Sequence, residues 1–328
     1  MTGIIVSGPA RCGKNSLVNH ITNEDVGVLK LDALIKAFNK NNEKIENKCF
    51  LNFISKYLEN PRYQDSYKKK KNFPYEFINL SADKILKNIN FSKLSSSQLI
   101  ISIFDSWIKL KKKRCWIVPD LNTEFYCHEL FRFKRNLYFI FLFRNPIEAI
   151  TASLYWRYYP KKNKNAALLI YKIILWNLSY FISVQIKKKR PNNVEVISYE
   201  DFSTDIKKTR LFKKFNLKLK EFNNNTMYFN FKVDKGWLCP DGKFRSLLSE
   251  NEKNLIQSTC LDKKYKISNK SFVSYIVIFF IFIFTTIAKI NASTSKKILD
   301  FTFSPKLTIK SFLLNMLMVK SMKSFLKK

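Results

Sequence analysis

The sequence predicts an α/β fold in which a mostly parallel β-sheet is flanked by helices. Short apolar runs typical of buried strands alternate along the chain with longer segments of helical pattern. The run from Leu137 to Phe143 is apolar on both faces, as expected of a parallel strand covered by helices on both sides. The chain also opens with the order strand, glycine loop and helix between Ile4 and Ile21.

Five apolar runs are predicted as strands. They lie at residues 4–6, 28–32, 115–118, 137–143 and 194–198. Helices are predicted between them: after the glycine loop, mixed with irregular structure over 33–110, around Phe125 and Leu130, from Pro146 through Leu154, and over 165–186.

The C-terminal part differs in composition from the rest. Residues 272–288 carry no charge and are bounded by Lys270 and Lys289, a length at the short end of the roughly 20 residues that usually cross a bilayer. We expect this hydrophobic helix to associate with a membrane, with a buried C-terminal helix as the alternative. The basic amphipathic tail 307–328 is expected to lie on an anionic leaflet.

The charge balance is strongly positive. The chain has 59 Lys and Arg against 25 Asp and Glu, a formal net charge of +34. Lysine-rich runs at 68–71, 111–114 and 187–190 would suit nucleic acid, an acidic polymer or an anionic membrane face. Biased composition is the alternative, since Lys, Asn, Ile and Phe are abundant together. Because the runs are scattered and no nucleic-acid-binding module is recognisable, no nucleic-acid partner is predicted.

The cysteines and the N-terminus bear on the compartment. None of the six cysteines forms a CxxC pair, and the chain has two histidines, so no zinc site is predicted. The N-terminus enters a strand without the pattern of a secretory signal. We therefore expect free thiols in a reducing, cytoplasmic compartment, with membrane association through 272–288.

The glycine loop after the first strand carries the strongest chemical signal. Gly8, Gly13 and Lys14 match the start of a phosphate-cradling loop, G-x-x-x-x-G-K. Glycines let backbone N–H groups approach an anion, the following helix presents its positive end, and the lysine adds charge. Kinases and nucleotide hydrolases place Ser or Thr after this lysine to hold magnesium, whereas this chain has Asn15. The loop is therefore predicted to bind phosphate without obligatory magnesium.

Four segments, in order along the chain, resemble motifs of the sulfotransferase family. Residues 9–17 are similar to its phosphosulfate loop, P-x-[RK]-[ST]-G-T-T-x-L, and 143–153 to its R-[ND]-P-x-[DE]-x-x-x-S motif. Residues 197–202 resemble its Y-E-D-[LF] segment, and 242–249 resemble its G-[RK]-W-[RK] loop. The resemblance implies a P-loop-type sheet in a sulfotransferase-like domain over 1–268, followed by the hydrophobic segment and tail at 269–328.

The resemblance also implies a reaction and its site residues. The donor would be 3′-phosphoadenosine 5′-phosphosulfate, and the acceptor would be a hydroxyl or amine group. For the molecule that carries this group we suggest a saccharide or a lipid. Arg11 and Lys14 would act at the 5′-phosphosulfate, and Arg144 would clamp the 3′-phosphate. The loop would add the backbone N–H groups of Cys12, Gly13, Lys14, Asn15 and Ser16, and the 3′-phosphate would also meet Ser153 and Lys243 or Arg245. No metal ion is expected.

Two departures from the family pattern concern these residues. Lys14 and Asn15 replace the usual Thr-Thr pair. Ala152 stands where the family has a small hydroxyl residue, with Thr151 and Ser153 on either side. One residue on a helix is a rotation of roughly 100°, so Ser153 needs a local adjustment to reach the same phosphate.

The acceptor must lose a proton, so a catalytic base is expected. Asp120 is our first candidate, because it follows the strand at 115–118 and ligands in open α/β sheets lie at the carboxyl ends of strands. Glu124 is the second candidate. The alternative role for Asp120 is to cap a helix. His20 and His128 are interpreted as ordinary helix residues.

Two other functions compete with sulfuryl transfer. One is a small P-loop kinase using ATP and magnesium, in which Asp120 would be the magnesium carboxylate. The other is a basic, membrane-attached binding protein without catalysis. Magnesium dependence separates the first from a sulfotransferase, and the effect of changing Arg144 separates the second.

Overall fold

A computed structural model of the chain describes residues 1–21, 25–28, 87, 89, 94, 96–155, 166–200, 209–218, 227–228, 231–232 and 247–303. Most of the predicted helical region before residue 96 lies outside the described residues, as do Lys243, Arg245 and the basic tail 307–328.

A five-stranded sheet forms the centre of the fold, in the order β2-β3-β1-β4-β5. Its strands are β1 (Thr2–Ser7), β2 (Val26–Val28), β3 (Cys115–Pro119), β4 (Leu137–Phe143) and β5 (Val194–Ser198). Every neighbouring pair in this sheet is parallel, which confirms the predicted α/β class. Because β1 is the middle strand, the glycine loop at its carboxyl end lies between the ends of β3 and β4, where ligands of open sheets bind.

Helices connect and cover the strands. They are α1 (Lys14–His20), α2 (Ser96–Leu110), a 3₁₀ turn (Thr123–Phe125), α3 (Cys127–Phe133), α4 (Pro146–Tyr155), α5 (Ala166–Lys189), α6 (Arg210–Lys214), α7 (Glu250–Ser258), α8 (Phe272–Ile290) and α9 (Ala292–Phe303). A separate antiparallel pair joins β6 (Met227–Tyr228) to β7 (Phe231–Lys232).

Strand β2 begins at Val26, two residues before the start predicted from the sequence. It pairs with β3 through Gly27, opposite Trp116. A Cβ atom on Gly27 would lie 2.1 Å from Ile108 and 2.5 Å from Trp107 of α2, so the missing side chain lets α2 pack close to the sheet edge. Glycine weakens a strand pattern in sequence, which is why the predicted strand started after it.

The core covers both faces of the sheet. On one face, Trp116 and Phe139 of the sheet are fully buried in one core with Trp107 of α2 and with residues of α3 and α5. On the other face, Ile4, Val6 and neighbouring aliphatic residues pack against α1 and α6. This two-sided burial explains why β4 carries apolar residues at consecutive positions.

Within the described ranges, two helices are long and apolar enough to cross a membrane by length and composition, and these are α5 and α8. Most of α5 is buried inside the protein, including Ile173, Ile174 and Trp176, so it is a core helix. Helix α8 buries only one face, and its buried residues Val277 and Ile281 join the same core as α5. The predicted segment 272–288 is therefore helical and attached to the α/β unit.

Candidate functional site

The glycine loop connects the end of β1 to the start of α1. Gly8 has φ 127° and Gly13 has φ 87°, conformations that residues with a Cβ atom rarely adopt. A Cβ atom on Gly8 would lie 2.4 Å from the carbonyl oxygen of Leu142, and one on Gly13 would lie 2.4 Å from the ring of Tyr199. The two glycines therefore let the loop pack against β4 and against Tyr199 at the same time.

Within the loop, Lys14 is held close to the backbone. Its Nζ donates to the carbonyl oxygen of Gly8 at 3.0 Å and to that of Pro9, and the residue is only 6% exposed. Arg11 is partly exposed and has φ 66°, a left-handed conformation of the kind that often occurs at functional sites. The loop thus concentrates positive charge at the carboxyl end of β1.

The Cys12 thiol is fully buried under the loop. Burial raises its pKa to about 11, opposed by the charge of Lys14 and by the backbone N–H and charge of Arg144. A thiol with this pKa is protonated at neutral pH and is a poor nucleophile. The charges of Lys14 and Arg144 both act on this thiol.

The segment after β3 is hydrogen-bonded to β1 and to the loop. Asp120 N donates to Val6 O at 2.8 Å, Asn122 N to Gly8 O at 3.3 Å, and Thr123 N to the Ser7 hydroxyl at 2.8 Å. These bonds extend the β1–β3 pairing beyond the strands, so that Asp120 and Glu124 come to the edge where the loop lies.

Asp120 is fully buried and hydrogen-bonded to the residues that follow it. Its carboxylate accepts from Leu121 N at 2.8 Å, from the Thr123 hydroxyl at 3.3 Å and from the Tyr126 hydroxyl at 3.4 Å. The alternative role as a helix cap is wrong, because the 3₁₀ turn begins after Asn122 and α3 begins after Tyr126, and neither has a side-chain capping hydrogen bond. The role of Asp120 as a base stays a prediction.

Glu124 forms a second buried carboxylate site beside the loop. One of its oxygens accepts from the Ser7 hydroxyl at 3.1 Å, and the other accepts from the Ser179 hydroxyl of α5. Burial raises the pKa of this carboxyl, while the hydrogen bond from Ser179 and the charge of Lys14 act in the opposite direction. Glu124 therefore connects three elements, β1, the 3₁₀ turn and α5, and lies within electrostatic reach of Lys14.

Changing Glu124 to glutamine tests this burial. The pKa of the carboxyl is raised above its ordinary 4.5 in the folded protein. At a pH between 4.5 and the raised pKa, the folded state therefore keeps a proton that the unfolded chain has lost. The free energy of unfolding of the wild type must then fall as pH rises through that window. We expect the wild type to lose stability relative to Glu124→Gln above about pH 4.5, measured by urea unfolding across pH. A difference between the two proteins that does not change with pH would contradict this.

Arg144 follows β4 and lies beside the loop. Its guanidinium carbon lies 5.4 Å from the centre of the Tyr199 ring, and Tyr199 in turn packs against Gly13. The guanidinium also pairs with Glu148 at 3.8 Å, and the two side chains are 13% and 2% exposed. Arg144 is therefore held on the loop side of β4.

The segment 199–200 positions the turn that carries Arg144. The Glu200 carboxylate accepts from Asn145 N at 2.8 Å and from the Tyr265 hydroxyl at 2.7 Å. Asn145 itself caps α4, since its side-chain oxygen accepts from Ile147 N at 3.0 Å. Tyr199 and Glu200 thus set the distance between the Arg144 turn and the loop.

Ser153 faces the loop across a small pocket. Pro9, Ala10, Asn122, Ser153 and Trp176 are among the residues that line it, and its volume is about 80 Å³. Thr151 instead donates to Ile147 O of its own helix at 2.6 Å, so Ser153 is the hydroxyl available on this side of α4. This pocket is smaller than the roughly 300–1,000 Å³ of a usual small-molecule site, and Arg11, Lys14 and Arg144 are not among the residues that line it.

The structure brings together most of the residues that the sequence singled out. Arg11, Cys12, Lys14, Arg144 and Ser153 lie around the loop, whereas Lys243 and Arg245 are outside the described residues. Among the described residues, no group of three or more His, Cys, Asp or Glu side chains could hold a metal ion.

Two features of the site were not predicted from the sequence. One is the link from Glu124 to Ser7 and Ser179, and the other is the contact of Tyr199 with both Gly13 and Arg144. A weak signal for the first was present, because Ser179 is a polar residue inside a long apolar helix.

Comparison with known proteins adds one structural similarity. No protein-family model matches the chain, and no curated protein matches it. Among solved structures, the sulfotransferase domain from the curacin biosynthetic pathway is similar, with a TM-score of 0.39 and 14% sequence identity. The match covers 67% of this chain and 76% of that domain. A similarity at this level assigns no activity and no site residue to the chain.

Proposed function

We propose that the protein is a sulfotransferase that moves a sulfuryl group from 3′-phosphoadenosine 5′-phosphosulfate to a hydroxyl or amine acceptor. The observation that carries the proposal is the arrangement of two cations about Gly13. Lys14 is fixed to the loop carbonyls, and Arg144 is fixed on the Tyr199 ring that packs against Gly13. Two separately held cations fit a ligand with phosphate groups at two ends.

The chemistry of the transfer suits these residues. A lone pair on the acceptor oxygen or nitrogen forms a bond to sulfur, while the bond from sulfur to the bridging oxygen breaks and the 5′-phosphate of the nucleotide leaves with the electron pair. The acceptor proton passes to a base. Negative charge grows on the leaving phosphate, where Lys14, Arg11 and the loop N–H groups would stabilise it.

The 3′-phosphate distinguishes this donor from ATP. Arg144 would bind it as a bidentate partner, and Ser153, in the helix that follows Arg144, lines a pocket together with Pro9 and Ala10 of the loop. Asn15 follows Lys14 at the position where kinases use Ser or Thr for magnesium. These features favour the sulfuryl donor over a kinase substrate.

Calorimetry with three nucleotides tests the proposal. We expect the full-length protein to bind 3′-phosphoadenosine 5′-phosphate in the presence of EDTA, because the cations of the proposed site are lysine and arginine side chains, which EDTA does not remove. Adenosine 5′-phosphate, which lacks the 3′-phosphate, should bind at least about tenfold more weakly, since a hydrogen-bonded charged group contributes about 1.5–3 kcal/mol. Binding of ATP only with magnesium, together with indifference to the 3′-phosphate, would instead support a kinase and overturn the proposal.

A further inference from the structure

One face of α8 presents large apolar side chains to solvent. Phe272, Tyr275, Phe279 and Phe282 are 77%, 59%, 60% and 66% exposed, and Ile290 at the helix end is 88% exposed. At roughly 100° per residue, these positions fall within about a quarter of the helix circumference. They form a stripe, here called the aromatic stripe, that runs from Phe272 to Phe282 and is followed, after the exposed Thr286, by Ile290.

The opposite face of α8 is part of the protein core. Val277, Ile281 and Phe284 are 1–3% exposed and belong to the core cluster that includes α5. The Ser274 hydroxyl lies 2.8 Å from that of Ser258 in α7, and the Ser295 hydroxyl of α9 donates to Phe284 O. A helix fixed in this way along one face does not cross a bilayer as an independent span, because crossing would strip that face of its protein partners.

Charges around the aromatic stripe are positive. Lys270 lies with its Nζ 5.6 Å from the centre of the exposed Tyr275 ring, and Lys289 is exposed near the other end of the helix. The connecting segment 261–271, which precedes the stripe, holds four lysines and one aspartate. A protein partner with an apolar face would not need this charge, whereas an anionic lipid surface attracts it.

We propose that α8 lies in the plane of an anionic membrane surface, with the aromatic stripe among the lipid acyl chains and the flanking lysines at the headgroups. Aromatic residues favour the boundary between acyl chains and headgroups, where their apolar rings are buried. The ammonium groups of neighbouring lysines stay hydrated at the same depth. The α/β unit would then remain on one side of the bilayer. This attachment is independent of the proposed reaction.

Vesicle flotation of the full-length protein tests the attachment. We expect binding to vesicles of phosphatidylcholine mixed with phosphatidylserine, weaker binding to phosphatidylcholine alone, and loss of the difference in high salt. The variant Phe272→Ser, Phe279→Ser, Phe282→Ser should bind at least tenfold more weakly. Its thermal unfolding should match the wild type, since the three side chains are mostly exposed.

Leu110→Ser provides a matched control, because Leu110 is an exposed apolar residue at the end of α2 and does not belong to the aromatic stripe. It should leave vesicle binding unchanged. If the wild type binds neither kind of vesicle, the proposal is overturned. This result is expected if a second copy of the protein, or the chain's own tail, covers the stripe. Equal binding to both vesicles overturns the role of charge, and resistance of the bound protein to alkaline extraction overturns the surface orientation.

Discussion

Replacing Arg144 with alanine is expected to weaken binding of 3′-phosphoadenosine 5′-phosphate roughly 10- to 150-fold, which corresponds to the loss of about 1.5–3 kcal/mol from a charge-assisted hydrogen bond. The guanidinium is held at the loop by Tyr199 and by Glu148, so little side-chain freedom is lost when a phosphate binds. Arg144→Lys should recover only part of the affinity, because an ammonium group keeps the charge but not the planar pair of donors. Calorimetry on the purified variants gives the affinities.

Two further variants serve as controls for this experiment. Arg135→Ala removes the same charge just before the opposite end of β4, from an exposed position, and should leave the affinity unchanged. Arg144→Ala also leaves Glu148 buried without this cation, which costs stability. The double variant Arg144→Ala, Glu148→Gln removes both charges and should restore folding but not binding. Full affinity in either Arg144→Ala protein would exclude the 3′-phosphate site.

Replacing Gly8 with alanine is expected to lower the free energy of unfolding by roughly 2–5 kcal/mol, combining a conformation unfavourable to L-residues with overpacking. Gly8 has φ 127°, and its Cβ atom would lie 2.4 Å from the carbonyl oxygen of Leu142. The obstacle is backbone of the central sheet, so relief requires β1 and β4 to move apart. Urea unfolding, with the midpoint and the slope both recorded, measures the loss.

Gly13→Ala is the matched comparison for Gly8→Ala. Gly13 also has positive φ, but its Cβ atom would meet the ring of Tyr199, a side chain. Since a ring can turn away, Gly13→Ala should cost less stability than Gly8→Ala. It should still weaken nucleotide binding, because Arg144 rests on that ring. A larger stability loss for Gly13→Ala would show that the close approach of the loop to β4 is not the limiting constraint.

Strand boundaries were predicted from the hydrophobic pattern with different success for different strands. The boundaries of β4 agree with the predicted run, because a strand buried on both faces is apolar at every position. Strand β2 starts earlier than predicted, since its central residue is Gly27, and the reason for a glycine there is the nearness of Trp107 and Ile108. That contact joins residues about 80 positions apart, and no local pattern records it.

In the candidate site, too, some features follow from local sequence and others from the tertiary structure. The sequence by itself determined the loop with its glycines and Lys14, the alternation of strands and helices, and the apolar character of 272–288, because each depends on neighbouring residues and local chemistry. Only the tertiary structure decided that the Asp120 carboxylate accepts from Tyr126, that Glu124 accepts from Ser7 and Ser179, and that Tyr199 contacts both Gly13 and Arg144. These contacts arise where the carboxyl ends of parallel strands converge, so they are set by the order of strands in the sheet rather than by spacing along the chain.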